Sequence, residues 1–159
     1  MRANEIEYPG AEPFDLWDVV PARLQAVLPN VMWSRDRLHQ LELPVVELLV
    51  DELAWQLDLP WWRDSHEYFS LSPLDVWREP VVHSSQWQRT LAADLTYPIH
   101  VLERGPLIVL DGVHRLLKAF GQKRERIDAC IVSHPLFVEV VVDRSPGTEQ
   151  PGSGSGQVG

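Results

Sequence analysis

From Tyr97 to Phe120 short apolar runs alternate with turn residues in an order that predicts strand, turn, strand, turn and helix. Tyr97 to Leu102 reads as a strand, Arg104-Gly105-Pro106 as a turn, and Leu107-Ile108-Val109-Leu110 as a short, wholly apolar strand. Asp111-Gly112 interrupts the run. Val113, Leu116, Leu117 and Phe120 then recur at helical spacing, with Gly121 as the expected stop. Further strands are predicted over Ile127 to Val132 and Phe137 to Val142. Upstream, Leu43 to Val50 is rich in β-branched and apolar residues and predicts another strand. Asp51 follows as a cap for a short helix from Glu52 to Leu57, closed before Pro60. Ser72-Pro73 pairs a cap with proline at the first helical position. Ser84 or Ser85 is expected to cap a helix from Gln86 to Asp94, with Trp87, Leu91 and Leu95 on one face. Nearer the start, Asp15 is a candidate cap for a short helix reaching Val20, and Pro21 opens a second from Ala22 to Leu28.

At the ends the pattern fades. Residues 1–13 carry Pro, Gly and acids with little periodicity, and residues 145–159 are Pro, Gly, Ser, Thr, Glu and Gln, a composition that cannot bury a core and is expected to be a disordered tail. The 159 residues, 45% hydrophobic, suit one domain with an N-terminal helical extension over 1–42 and a folded body over 43–144. No apolar run approaches the length of a membrane span, and the acidic N-terminus lacks the basic start of a secretory signal. The expectation is a cytoplasmic chain without a membrane partner. Cys130 is the sole cysteine, which excludes an internal disulfide and reads as a small buried hydrophobe. The seven tryptophans read mostly as packing, with Trp61-Trp62 able to line a pocket or an exposed patch.

Charge changes this picture locally. The net charge is −9, which opposes generic binding to nucleic acids or anionic membranes. Between Asp111 and Arg126, however, five basic residues face two acids, a local +3 that leaves −12 for the rest. A basic island in an acidic chain fits a small anionic ligand, or else a solvated helix whose last turn complements the dipole.

The chemistry that fits the island lies at its N-terminal end. A helix that starts directly after a strand points unpaired backbone N–H groups and a partial positive charge at whatever lies beyond it, which favours phosphate. Gly112 permits close approach, Val113 opens the helix, and His114 and Arg115 sit in the first turn, where they can reach the same anion. Asp111 can cap the helix, orient His114 or Arg115, hold a divalent cation or act as a base. Structurally, the same residues can be no more than a cap, a turn and a surface ion pair.

In these residues the chain resembles the ParB/sulfiredoxin-like superfamily. Tyr97-Pro98-Ile99-His100-Val101 matches a "PI.V" strand, and Asp111-Gly112-Val113-His114-Arg115 with Ala119 matches a "DG.HR..A" strand-to-helix turn. The likeness is good over 97–121 and loose over 43–133. It implies a compact α+β fold with a small mixed sheet and short helices, binding a nucleotide (ATP, ADP or CTP) or a small phosphorylated ligand at this turn. Gly112, Val113, His114 and Arg115 would hold the phosphates, Asp111 and His114 would be catalytic, and Asp111 would carry Mg²⁺ through the nucleotide. Kinase-like relatives also need an upstream acid, for which Glu47 and Glu52 are candidates, while His83 precedes, and Arg89 lies on, the helix that leads into the "PI.V" strand and whose start is a candidate border of the nucleotide.

Departures from the family narrow the options. Val113 stands where sulfiredoxins place a cysteine, so sulfinic acid reduction is not expected. About 40 residues follow the turn, too few for a helix-turn-helix reader, so site-specific DNA binding is not expected either. The six histidines show no close spacing with acids or cysteine, which argues against structural zinc. Phosphoryl transfer or nucleotide hydrolysis is the leading expectation. A non-catalytic adaptor that meets a protein partner is the alternative, and a nuclease the third.

Overall fold

The computed structural model describes Tyr8 and residues 10–143, so the tail expected over 145–159 lies outside the described residues, as do residues 1–7 and 9. The chain is α+β, with a four-stranded sheet and several short helices. In chain order the α-helices are α1 (Ala22–Gln25), α2 (Arg35–Gln40), α3 (Val50–Leu53), α4 (Pro73–Arg78), α5 (Ser84–Ala92), α6 (Val113–Gly121) and α7 (His134–Val140). The strands are β1 (Val46–Leu49), β2 (Ile99–Glu103), β3 (Leu107–Asp111) and β4 (Arg126–Val132), arranged β1-β4-β2-β3. β4 runs antiparallel to β1, with Val46 opposite Ala129, and parallel to β2, with Ile99 opposite Ala129. β2 and β3 form a hairpin around Gly105.

Period-two alternation along the strands separates two apolar layers. On one face Leu102, Ile108, Leu110 and Val132 pack against α7 and the N-terminal residues Phe14, Leu24, Trp33 and Leu38. On the other, Ile99, Val101, Val109 and Ala129 pack against α3, α4 and α6 through Leu53, Val76, Leu116 and Leu117. Bridges from Ala11 to Asp143 and from Trp33 to Val141 tie the N-terminal segment to the chain's other end. From Ala11 to Leu38, the stretch read as an extension therefore packs on the first of these faces of the sheet.

A break in the hairpin register positions the site. Val101 faces Val109, yet His100 faces Asp111, so β3 carries one extra residue at this point. Such a bulge re-aims the residue beyond it. Regular alternation would send Asp111 to the α6 side. The bulge turns it to the side of His100, whose layer contains the N-terminal segment.

At the outer edge of the sheet, β3 meets no further strand among the described residues. The buried Gln56, in a 3₁₀ turn over Ala54–Asp58, supplies the missing partners: its Nε2 donates to Leu107 O (2.9 Å) and its Oε1 accepts from Val109 N (2.8 Å).

Several elements differ from the sequence expectation. The run Phe137 to Val142, expected as a strand, belongs to α7 until Val140. Ser133 and Pro135 start that helix, and Phe137 and Val140 are buried while Val138 is exposed, a helical rather than alternating pattern. The first strand is only Val46–Leu49, because Val50 already opens α3 and Asp51 lies inside it instead of capping it. Neither Ser84 nor Ser85 caps α5, which begins at Ser84 with His83 in the cap position. Ser72 does cap α4, in a reciprocal box with Asp75 behind Pro73. Gly121 is the last residue of α6 and not its stop. The left-handed residue is Lys123 (φ 56°), and the N–H groups of Lys123 and Arg124 return to Phe120 O and Ala119 O in a Schellman ending. Gly121 instead admits the Trp77 indole, which a Cβ there would meet at 2.4 Å.

Candidate functional site

Asp111 is the last residue of β3, and its carboxylate is buried at the floor of a cleft of about 820 Å³. It caps no helix: the cap position of α6 is Gly112, whose φ of 114° excludes most side chains. Oδ2 accepts from Arg115 Nη2 at 3.0 Å and His39 Nε2 at 2.8 Å, and Arg35 Nη2 lies 3.3 Å from Oδ1. Burial alone would raise the carboxyl pKa. The His39 hydrogen bond and the charges of Arg115 and Arg35 outweigh burial and hold it below its ordinary value. Of the roles open to Asp111, orienting Arg115 is the one this geometry displays. Arg115 is held on its other side by Pro98 O (2.8 Å) and Tyr97 O (3.3 Å).

His114 points elsewhere. Its ring stacks on Trp62, with centroids 4.4 Å apart and planes 17° from parallel, and its Nε2 donates to Gln86 Oε1 at 2.7 Å. Burial, reinforced by the charges of Arg89, Arg115 and Arg35, lowers its pKa to about 4. It is therefore a neutral imidazole at pH 7, with Nε2 already engaged. Trp62 is buried behind it, so this half of the Trp61-Trp62 pair lines the cleft and presents no exposed patch.

The helix N-terminus opens on the same cleft. The hydrogen-bond ladder of α6 starts with Leu116 N donating to Gly112 O, and among the described residues no side chain caps the helix. The amides of Val113, His114 and Arg115 thus have no acceptor within it. Arg89 lines the cleft from α5 with no hydrogen-bond or ion-pair partner among the described residues. Three arginines (35, 89 and 115) against two aspartates (94 and 111) make this wall basic in an acidic chain. Leu41, Leu43, Val45 and the exposed Tyr97 supply an apolar wall.

The remaining candidates lie apart. Glu47 is exposed on β1, 3.9 Å from Arg126, and borders a separate, smaller hollow. Glu52 is exposed on α3, and His83 sits in the cap position of α5. Neither lines the main cleft. The sequence reading missed Arg35 and His39, which α2 carries from the N-terminal segment to within 3.3 Å of Asp111, and Gln86, which holds His114. It also gave His100 no role, whereas the bulge sets His100 beside Asp111, with its ring centroid 5.3 Å from that of His39. Burial, with the charges of His39 and Arg115, lowers the His100 pKa. Cys130 borders the cleft, and burial pushes its thiol pKa up.

Among the described residues, no helix is long and apolar enough to cross a membrane. No family model, no curated protein and no solved structure matches the chain.

Proposed function

We propose that this cleft binds the phosphates of a nucleotide, such as ATP, ADP or CTP, or of a small phosphorylated ligand. The observation that carries the reading is the convergence of three arginines and an uncapped helix N-terminus on one cleft of a chain whose net charge is −9. The amides of Val113, His114 and Arg115 and the guanidinium of Arg89 are the donors left open, and Arg115, fixed by Asp111 and two carbonyls, is preorganised beside them. The likeness of Asp111–Arg115 to the ParB/sulfiredoxin-like turn supports the same reading from sequence. If the site turns substrate over, phosphoryl transfer or nucleotide hydrolysis fits best, because it offers positioning and positive charge.

Calorimetric titration with ATP, ADP, CTP and GTP, with and without Mg²⁺, tests this on the wild type and on Arg89→Ala and Arg115→Ala. Saturable binding lost in both variants is expected. Absence of binding by every nucleotide and by inorganic phosphate refutes it. Asp111→Asn then separates binding from turnover.

A second reading, a non-catalytic protein-interaction module, is favoured by exposed apolar side chains on and after α4: Val81 (88% exposed), Val82 (68%) and Trp77 (40%). Pull-down of a partner that Val81→Asp abolishes, with no nucleotide effect, would support it.

A further inference from the structure

We propose that His39, His100 and Asp111 form a site for a transition-metal dication, with Zn²⁺, Co²⁺ or Ni²⁺ as ligands of choice. One ligand atom from each residue lies within 4.8 Å of the other two. Zinc bonded at about 2.0–2.2 Å in a tetrahedron separates its ligand atoms by roughly 3.5 Å, so closure needs a shift of about 1 Å. That shift falls to the most exposed of the three. His39 is 47% exposed on the short helix α2, whereas Asp111 and His100 are buried on adjacent strands and fixed by the sheet register.

His100 supplies an independent observation. It is 8% exposed, its Nδ1 is buried without a hydrogen-bond partner, and no partner is found for its other ring nitrogen among the described residues. A buried polar group of this kind calls for a partner that the protein does not provide. The neutral imidazole is the ligating form, and its Nδ1 has no competing proton donor or acceptor at hand among the described residues.

The two arginines select the kind of ion. Arg35 and Arg115 already sit on the Asp111 carboxylate and weaken its pull on any cation. Mg²⁺, which relies on carboxylates and water, is poorly served, whereas an ion with strong affinity for imidazole draws its binding energy from the two histidines. Three protein ligands leave a coordination position facing the cleft, open to water or to an anion. The metal site does not rest on the nucleotide reading, since none of its three ligands is among the donors assigned to phosphate.

The test uses the untagged full chain, stripped by chelator. Zn²⁺ titrated by calorimetry should bind at one equivalent per chain, and Co²⁺ should give a visible absorption band from ligated imidazole. His39→Ala, a half-exposed position that leaves the fold intact by circular dichroism, should weaken Zn²⁺ binding by on the order of 100-fold and abolish the Co²⁺ band. His100→Gln should do the same. Cys130→Ser, on the same cleft, and His66→Ala, on a remote turn, should bind as wild type. Absence of stoichiometric Zn²⁺ binding by the folded wild type overturns the proposal, as does unchanged affinity in His39→Ala.

Discussion

Replacing Gly112 by alanine tests how tightly the turn beneath the cleft is built. Gly112 has φ 114°, outside even the left-handed region that side chains tolerate, and adopting it costs alanine about 1–2 kcal/mol. A Cβ there would also lie 2.5 Å from Ile99 Cγ2, 2.9 Å from its Cβ and 3.3 Å from its Cα. Carbon atoms at rest sit about 3.5–4.0 Å apart, so something must move by roughly 1 Å. Ile99 is fully buried in the second strand and paired with Ala129, so the relief comes from backbone, at an overpacking cost of about 1–3 kcal/mol. The expected destabilisation of Gly112→Ala is therefore about 2–5 kcal/mol, a large part of the 5–15 kcal/mol typical of a domain.

Two other glycines separate these contributions. Gly105 has φ 85° and open space around it, so Gly105→Ala should show the backbone strain alone, about 1–2 kcal/mol. Gly121 is helical and its Cβ would meet the Trp77 ring, which is 40% exposed but packs on Trp87 and Phe120, so displacing the ring offsets what alanine gains over glycine in a helix. Gly121→Ala should be near neutral in stability and shift the tryptophan emission. Urea unfolding of the three variants at equal m-values gives the comparison. Gly112→Ala within about 0.5 kcal/mol of Gly105→Ala would refute the claim of a rigid contact with Ile99.

Two further outcomes follow from the site and the sheet. Folding lowers the His114 pKa from 6.5 to about 4, so between these values the unfolded chain binds the additional proton. The contribution of His114 is complete above pH 6.5 and is lost as the pH falls toward 4, by at most about 3 kcal/mol. Urea midpoints from pH 7 to pH 4 should therefore fall more steeply for the wild type than for His114→Gln, and equal slopes would contradict the assignment. Gln56→Leu removes the partners of Leu107 O and Val109 N at once and should cost about 2–4 kcal/mol in denaturant unfolding. A loss under 1 kcal/mol would mean that water replaces the amide.

The part of the site that was readable from the chain is the part that is local in sequence. Strand, turn and helix from Ile99 to Gly121 emerge from spacing and turn chemistry, and with them Asp111, Gly112 and Arg115. Arg35 and His39 could not be found this way. They reach Asp111 across more than 70 residues, from a segment that reads as a peripheral extension because its helices are short and its apolar residues irregular. His100 depends on one extra residue in a strand pairing, and no residue type announces it: regular pairing would set it opposite Leu110. The histidines likewise show no metal spacing in the sequence, because His39 meets His100 and Asp111 only where the second helix packs against the sheet. The seventh helix was misread for a different reason. Val138, Val140, Val141 and Val142 favour a strand intrinsically, and packing of Phe137 and Val140 on one face overrides that preference.

The amide of Gln56 also has a meaning for behaviour in concentrated solution. An edge strand with unpaired N–H and C=O groups is a template on which a second molecule can add its own strand and begin an aggregate. Here a side chain lies across the positions such a strand would need, offering one donor and one acceptor in the order a neighbouring backbone would present. One glutamine thus closes this part of the third strand to propagation without adding a strand, and its loss would favour self-association alongside the loss of stability.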